Sequence, residues 1–257
     1  MLPEYSNSTI KAKDTIDNLR PGGSGILPEE TPPKFFARHF SAYHFALPYV
    51  KDKDILEVGF GDGYGASFLA GHARSVTAVD ILERNVTLAS NKYKRPNLVF
   101  KKLSGVYLDF PDDIFDIVVS FQVIEHIEET ELVNFLDSIK RVLKKGGIAF
   151  ISTLNLDKNR KPNMPYAKNP FHVKEFTWQE LDSLIKSVFV DYEMYGLFYT
   201  RRLRFFERLK KIGVFKYLPC PLNIVDRFYK NISVNDFVWL EKNLPNCIDF
   251  MVICKKT

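Results

Sequence analysis

The residues with the clearest chemical potential are grouped in Glu57-Val-Gly-Phe-Gly-Asp-Gly-Tyr-Gly65. Gly59, Gly61, Gly63 and Gly65 recur at every second position, which lets a backbone turn sharply and approach a ligand at the start of a helix. Asp80 ends the next apolar run. A carboxylate there can accept hydrogen bonds from both hydroxyls of a ribose. Two histidines stand where an acceptor substrate would be expected: His126, just after a later apolar run, and His172, within NPFHVKEF. Either can take a proton near neutral pH, and either can instead anchor its own loop.

The elements that must position these residues read as an alternation of strands and helices. Ile55, Leu56 and Val58 form a buried strand, and 66–73 a helix after the glycines. Strands follow at 76–79, 98–100, 115–120, 148–152, 188–194 and 248–254. Leu132, Phe135, Leu136, Ile139, Val142 and Leu143 fall at helical spacing, and Gly146-Gly147 reads as the stop of that helix. Thr177 and Glu180 have capping-box spacing. The alternation predicts an α/β, Rossmann-like, doubly wound sheet of seven strands, the last antiparallel, with helices on both faces. The expected organisation is an N-terminal arm at 1–33, a cofactor-binding domain at 34–200, an insertion capping the substrate at 201–246, and the domain's final strand at 247–257.

Charge bears on the ligand. A dinucleotide fold uses the same loop geometry, and Gly61-x-Gly63-x-x-Ala66 matches its looser fingerprint. A pyrophosphate, however, favours a loop without acids, and here Glu57 precedes the loop and Asp62 lies inside it. A cofactor with adenosine and a cationic or zwitterionic end suits these acids better, and S-adenosylmethionine is such a molecule. A nicotinamide-dependent oxidoreductase and a non-catalytic module on a cofactor fold are the competing readings.

Five blocks in this order carry a resemblance: ILEVGFGDGYG (55–65), VTAVDI (76–81), FDIVVSFQVIEHI (115–127), RVLKKGGIAFISTLN (141–155) and NPFHVKEFTWQEL (169–181). The sequence resembles the class I S-adenosylmethionine-dependent methyltransferases of small-molecule type, over about 35–195 and the final strand. The resemblance implies that Glu57 and the glycines hold the methionine end, that Asp80 binds the ribose beside Ile81 at the adenine, and that Phe121 lies near the cofactor. Ser104 stands where the family usually has an acid for the adenine amino group, and Leu154 where proline is common. The implied activity is methyl transfer to a small or glycan-linked acceptor, at a hydroxyl oxygen, with His126 and His172 as catalytic candidates.

The remaining features set limits. A net charge of +5 over 257 residues permits an anionic substrate or membrane-surface contact without requiring either. Lys158, Arg160, Lys161 and Lys168 make the 154–176 loop basic. Arg201, Arg202, Arg204, Arg208, Lys210, Lys211 and Lys216 do the same for the start of the insertion, with Leu203, Phe206, Leu209 and Ile212 interleaved. That stretch reads as a lid helix or as a peripheral membrane contact. No nucleic-acid module accompanies it, so no nucleic-acid partner is expected. Glu128, Glu129 and Glu131 read as a solvated helix start rather than metal ligands, and no metal is expected. Cys220, Cys247 and Cys254 follow no metal spacing and read as reduced thiols. The N-terminus lacks a signal-type apolar core, which leads to an expected cytoplasmic location.

Overall fold

A computed structural model describes residues 26–160, 166, 168–217 and 224–257. The strands are β1 Asp54–Val58, β2 Ser75–Asp80, β3 Leu98–Lys102, β4 Phe115–Phe121, β5 Leu143–Leu154, β6 Asp191–Tyr199, β7 Phe237–Leu240 and β8 Asp249–Lys255. The helices are α1 Pro33–Ala46, α2 Tyr64–Ala70, α3 Glu83–Lys92, α4 Leu132–Val142, the one-turn α5 Leu156–Asn159, α6 Trp178–Lys186, α7 Arg201–Lys211 and α8 Ile224–Lys230. The strands form one sheet in the order β3-β2-β1-β4-β5-β8-β6-β7. β1 to β5 are mutually parallel, and β8 runs antiparallel between β5 and β6.

This is the doubly wound α/β class, with eight strands rather than seven. The added strand, β7, pairs antiparallel with the outer side of β6. Its four residues are too short for a period-2 pattern to stand out. Residues 201–246 therefore supply an edge strand as well as α7 and α8. The stop expected at Gly146-Gly147 also differs. α4 ends at Val142, and Leu143 is already extended. Leu143 pairs with Phe115 while Ile148 pairs with Ile117, so residues 144–147 bulge out of the ladder with Gly146 at φ +74°. Those glycines shape a bulge inside β5.

Two apolar layers hold the sheet. On one face, Leu132, Phe135, Leu136, Ile139 and Val142 line a single buried stripe of α4. Each such side chain contributes about 1.5–3 kcal/mol by leaving water. α6 packs on the same face, and its N-terminus is closed by the Thr177–Glu180 capping box that the sequence indicates. The other face is covered by α1, α2 and α3, with Ala42, Tyr43, Ala46, Ala66, Leu69 and Ala89 buried. The strand order reverses beside β1, and the loops leaving β1 and β4 open there. Ligands of open α/β sheets bind at such a point. Cys247 and Cys254 are buried and unpaired, and burial pushes the Cys247 thiol up to about 12. Cys220, Lys161 and residues 1–25 lie outside the described residues. Among the described residues no helix is long and apolar enough to cross a membrane.

Candidate active site

β1 carries Glu57 to the sheet's C-terminal edge, where it is almost fully buried. Tyr43 of α1 donates its hydroxyl to Glu57 Oε1 at 2.6 Å, while Glu57 Oε2 has no partner. Burial pushes the Glu57 carboxyl up to about 8, partly opposed by the Tyr43 bond, with Asp80 adding like-charge repulsion. A buried carboxyl with one empty oxygen is suited to a cationic group.

The glycine loop then turns beneath α1. Gly61 has φ +59°, and nothing lies within 4 Å of where its Cβ would stand, so the backbone faces open space. Its N–H donates to Asp80 Oδ2 at 3.0 Å, and the Leu82 N–H donates to Oδ1 at 2.9 Å. Asp80 is thus fixed at the end of β2 beside the loop. Burial raises its pKa, against these backbone hydrogen bonds. Asp62 does not face a ligand freely. Lys92 and Tyr93 donate to its two oxygens at 3.0 and 2.5 Å. With Asp62 paired and Glu57 inclined to hold a proton, charge separates the two cofactor readings less sharply than the sequence indicates.

A cavity of about 580 Å³ opens next to this loop. Gly59, Gly61, Tyr43, Tyr64, Phe121 and Gln122 line one end. Phe121 meets Tyr43 edge to face at 4.9 Å. Gln122 has φ +57°, unusual for a residue with a side chain, at the point where the chain leaves β4. Glu57, Gly63, Asp80, Ile81 and Ser104 are not among the lining residues. Ile81 is half exposed, and Ser104 Oγ accepts from the Val106 N–H at 3.3 Å.

The other end of the cavity is polar. His126 Nδ1 lies 2.7 Å from the Phe171 carbonyl, which can only accept, so Nδ1 carries the proton. His172 Nδ1 lies 2.6 Å from Glu175 Oε1 in the same relation, and Tyr166 donates to the other Glu175 oxygen. In the neutral rings Nε2 is then the lone-pair nitrogen, and His172 Nε2 accepts from Asn169 Nδ2 at 3.2 Å. The rings meet edge to face at 5.0 Å. Burial lowers the His126 pKa against the opposing Phe171 hydrogen bond, and His172 lowers it further. The Phe171 bond also orders its loop, as do the Val173 and Lys174 N–H groups donating to the Glu125 carbonyl.

Glu125, His126 and His172 bring ligand-type atoms within 4.8 Å of one another, a set that could hold a metal ion. Ligands around a tetrahedral ion at ~2.1 Å stand ~3.4 Å apart. His172 Nε2 is already engaged by Asn169, and His126 Nδ1 and His172 Nδ1 by Phe171 and Glu175.

Sequence reasoning missed Tyr43, Arg38, Tyr166 and Glu175. Arg38 and its half-buried neighbour His39, whose pKa desolvation lowers to about 4, line the cavity from α1. Glu175 had a signal: it stands three residues after His172 within the block NPFHVKEF. Among the described residues of 201–246, none lines this cavity.

A family model described as a methyltransferase domain matches residues 56–151. A probable S-adenosylmethionine-dependent methyltransferase of Mycolicibacterium smegmatis is 33% identical over 177 residues, covering 66% of this chain and 67% of that protein. A probable S-adenosylmethionine-dependent methyltransferase of Mycobacterium tuberculosis is 39% identical over 171 residues, 66% of this chain, and the chain spans 61% of its length. A ubiquinone biosynthesis O-methyltransferase of Rickettsia akari is 34% identical over 106 residues, 41% of each chain. An S-adenosylmethionine-dependent methyltransferase structure from Mesorhizobium loti shares the fold, with TM-score 0.58 at 16% identity, covering 85% of this chain and 98% of the other. These relatives decide between the cofactor readings against the nicotinamide one. With its glycine loop, its Glu57 and Asp80 carboxylates and these relatives, the chain belongs to the S-adenosylmethionine-dependent methyltransferases.

Proposed function

We propose that this protein transfers a methyl group from S-adenosylmethionine to a hydroxyl oxygen of a small-molecule or glycan-linked acceptor. The cofactor, when bound, supplies an activated methyl on a sulfonium. In this reading Glu57 and the glycine loop hold its methionine end, Asp80 its ribose, and Ile81 and Ser104 flank its adenine. Phe121 and Gln122 separate the cofactor from the acceptor.

The observation that carries the hydroxyl reading is the pair of imidazoles with Nδ1–H committed and Nε2 free of a proton. A base is required when the acceptor holds its proton tightly, as a hydroxyl does. In this reading His172, backed by Glu175, takes that proton at Nε2 once the acceptor hydroxyl replaces Asn169 there, and His126 holds the loop and the acceptor. The Rickettsia relative, named as an O-methyltransferase, supports the same acceptor atom. The expected location is cytoplasmic.

The test is a panel of hydroxyl, amine and thiol acceptors scored by mass spectrometry for one added methyl. Hydroxyl acceptors are expected to react. His172→Ala should lower kcat by about 10²–10⁴ while leaving the Kd for S-adenosylhomocysteine within about twofold. Asp80→Ala should abolish that binding. Methylation of amines alone, unaffected by His172→Ala, would overturn the hydroxyl assignment. No turnover on any acceptor would favour the non-catalytic module.

A further inference from the structure

α7 has two faces of different character. Its inner face is seated on the domain: Leu203 and Phe206 are buried, and Phe206 stacks on Phe228 at 3.5 Å. Arg202 pairs with Asp236, and Glu207 accepts from Lys34 at 2.5 Å and from Tyr229 at 2.8 Å. These contacts already fix the helix, so its outer face is not needed to hold the fold.

The outer face presents Arg201, Arg204, Phe205, Arg208, Lys211 and the adjoining Ile212, all exposed. Their spacing puts them on one stripe of a helix. Phe205 is 64% and Ile212 71% exposed. Among the described residues none of the four cationic side chains has an ion pair or a side-chain hydrogen bond. Unpaired cations alone would describe a solvated helix, and two exposed apolar side chains alone would describe ordinary surface scatter. Together they form the pattern of a helix lying in an interface: apolar groups two turns apart, about 10 Å, framed by positive charge.

We propose that the outer face of α7 docks on an anionic lipid surface. Phe205 and Ile212 enter the boundary between headgroups and acyl chains, and Arg201, Arg204, Arg208 and Lys211 meet the lipid phosphates. Charge complementarity favours an anionic partner, and the exposed phenylalanine and isoleucine favour lipid over a fully polar polyanion. The docked helix is tied to the chain that leads into the cavity wall. Lys34, its partner through Glu207, immediately precedes the cavity residue Phe35. If the proposed methyl transfer holds, the acceptor is one carried at or near a membrane surface. The docking itself does not depend on that reading.

Flotation of the full chain with vesicles tests it. Binding is expected to phosphatidylglycerol-containing vesicles and not to pure phosphatidylcholine. Arg204→Glu/Arg208→Glu should weaken it at least about tenfold, and Phe205→Ser/Ile212→Ser should weaken it by a similar factor. S-adenosylhomocysteine affinity should stay unchanged in both, which shows that the variants are folded and keeps this result separate from the methyl-transfer reading. Lys51→Glu/Lys145→Glu, exposed at the opposite edge of the sheet, serves as the charge control. No binding to anionic vesicles overturns the proposal. An equal loss in the charge control overturns it in favour of general electrostatic adhesion, as does binding indifferent to Phe205→Ser/Ile212→Ser.

Discussion

Glu57 carries opposing demands on stability and binding. Its carboxyl sits at about 8 because burial penalises the charged form more than one tyrosine hydroxyl relieves it. The folded chain thus holds a proton that the unfolded chain releases near the ordinary value of 4.5. The folded state binds more protons across that window, so Glu57 lowers stability progressively as pH rises from about 4.5 to about 8. Glu57→Gln removes the titration. We expect the variant to be more stable than the parent at pH 8, by about 1–3 kcal/mol in urea denaturation, with the difference vanishing near pH 4.5. A cationic ligand end has the opposite requirement, since it needs the carboxylate. The affinity for S-adenosylhomocysteine should therefore rise from pH ~6 to ~8 by up to about tenfold per unit. Calorimetry in two buffers of different ionisation heat should show a proton released on binding. A flat Kd with no proton release would remove Glu57 from the ammonium's partners. The same carboxyl depends on Gly65. A Cβ there would stand 2.0 Å from the Tyr43 ring. Gly65→Ala should push that ring off Glu57 and weaken cofactor binding at least about tenfold in the same titration, an effect of one lost charge-assisted hydrogen bond.

At the level of elements, α1 forms one wall of the cavity and is fastened to β8. Arg38 reaches Asp249, the first residue of β8, through two hydrogen bonds, that from Nε at 2.7 Å. Both partners are largely buried. Removing one charge from such a pair leaves the other without compensation, at a cost of about 3–5 kcal/mol. Asp249→Asn should therefore lower the unfolding free energy by that amount and loosen α1 over the cofactor loop. Amide exchange in α1 would report it, and exchange as slow as in the parent chain would contradict the assignment. This tie was not legible in the sequence, because 211 residues separate its ends. What could be read was local. The α4 stripe, the Thr177 capping box and the glycine loop each declare themselves within a few residues. β7 could not be read, since its four residues gain their meaning from pairing with β6. The Gly146-Gly147 pair misled for a related reason. Two glycines after an apolar helix are a good stop signal, but the helix had already yielded at Leu143, whose pairing with Phe115 outweighs one more helical turn. In the site, the types and places of His126 and His172 were readable. The hydrogen bonds to Phe171 and Glu175 and from Asn169 that fix their tautomers depend on a folded loop.

For the whole molecule, the order of strands in space departs from their order in the chain, and this has a consequence for folding. β8 follows the other seven strands along the chain, yet it lies inside the sheet. It pairs with β5 from Ile148↔Lys255 to Leu154↔Asp249 and with β6 from Asp191↔Lys255 to Gly196↔Phe250. Phe250, Met251, Val252 and Cys254 are fully buried, in both apolar layers. Lys256 closes the far edge, donating to the Arg141 and Leu143 carbonyls at 2.9 and 2.8 Å. How dispensable a segment is follows from its burial and hydrogen bonding rather than from its position in the sequence. Without β8, β5 and β6 would each expose a ladder of unpaired N–H and C=O groups, β6 and β7 would detach from the sheet, and Arg38 would lose its carboxylate. Long-range pairings of this kind also form late and slowly. A chain ending before Asp249 is therefore expected to lack cooperative thermal unfolding by circular dichroism and to bind no S-adenosylhomocysteine, although every residue assigned to the cofactor is still present. Removal of Thr257 alone should leave the melting temperature within a degree or two of the parent, because a surface change away from such contacts is worth at most about 0.5 kcal/mol. Supplying residues 247–257 as a separate peptide should restore binding if the rest of the sheet is held open for it. Cofactor binding by the truncated chain alone would show that the β1–β5 half is an independent folding unit and that β8 only completes it.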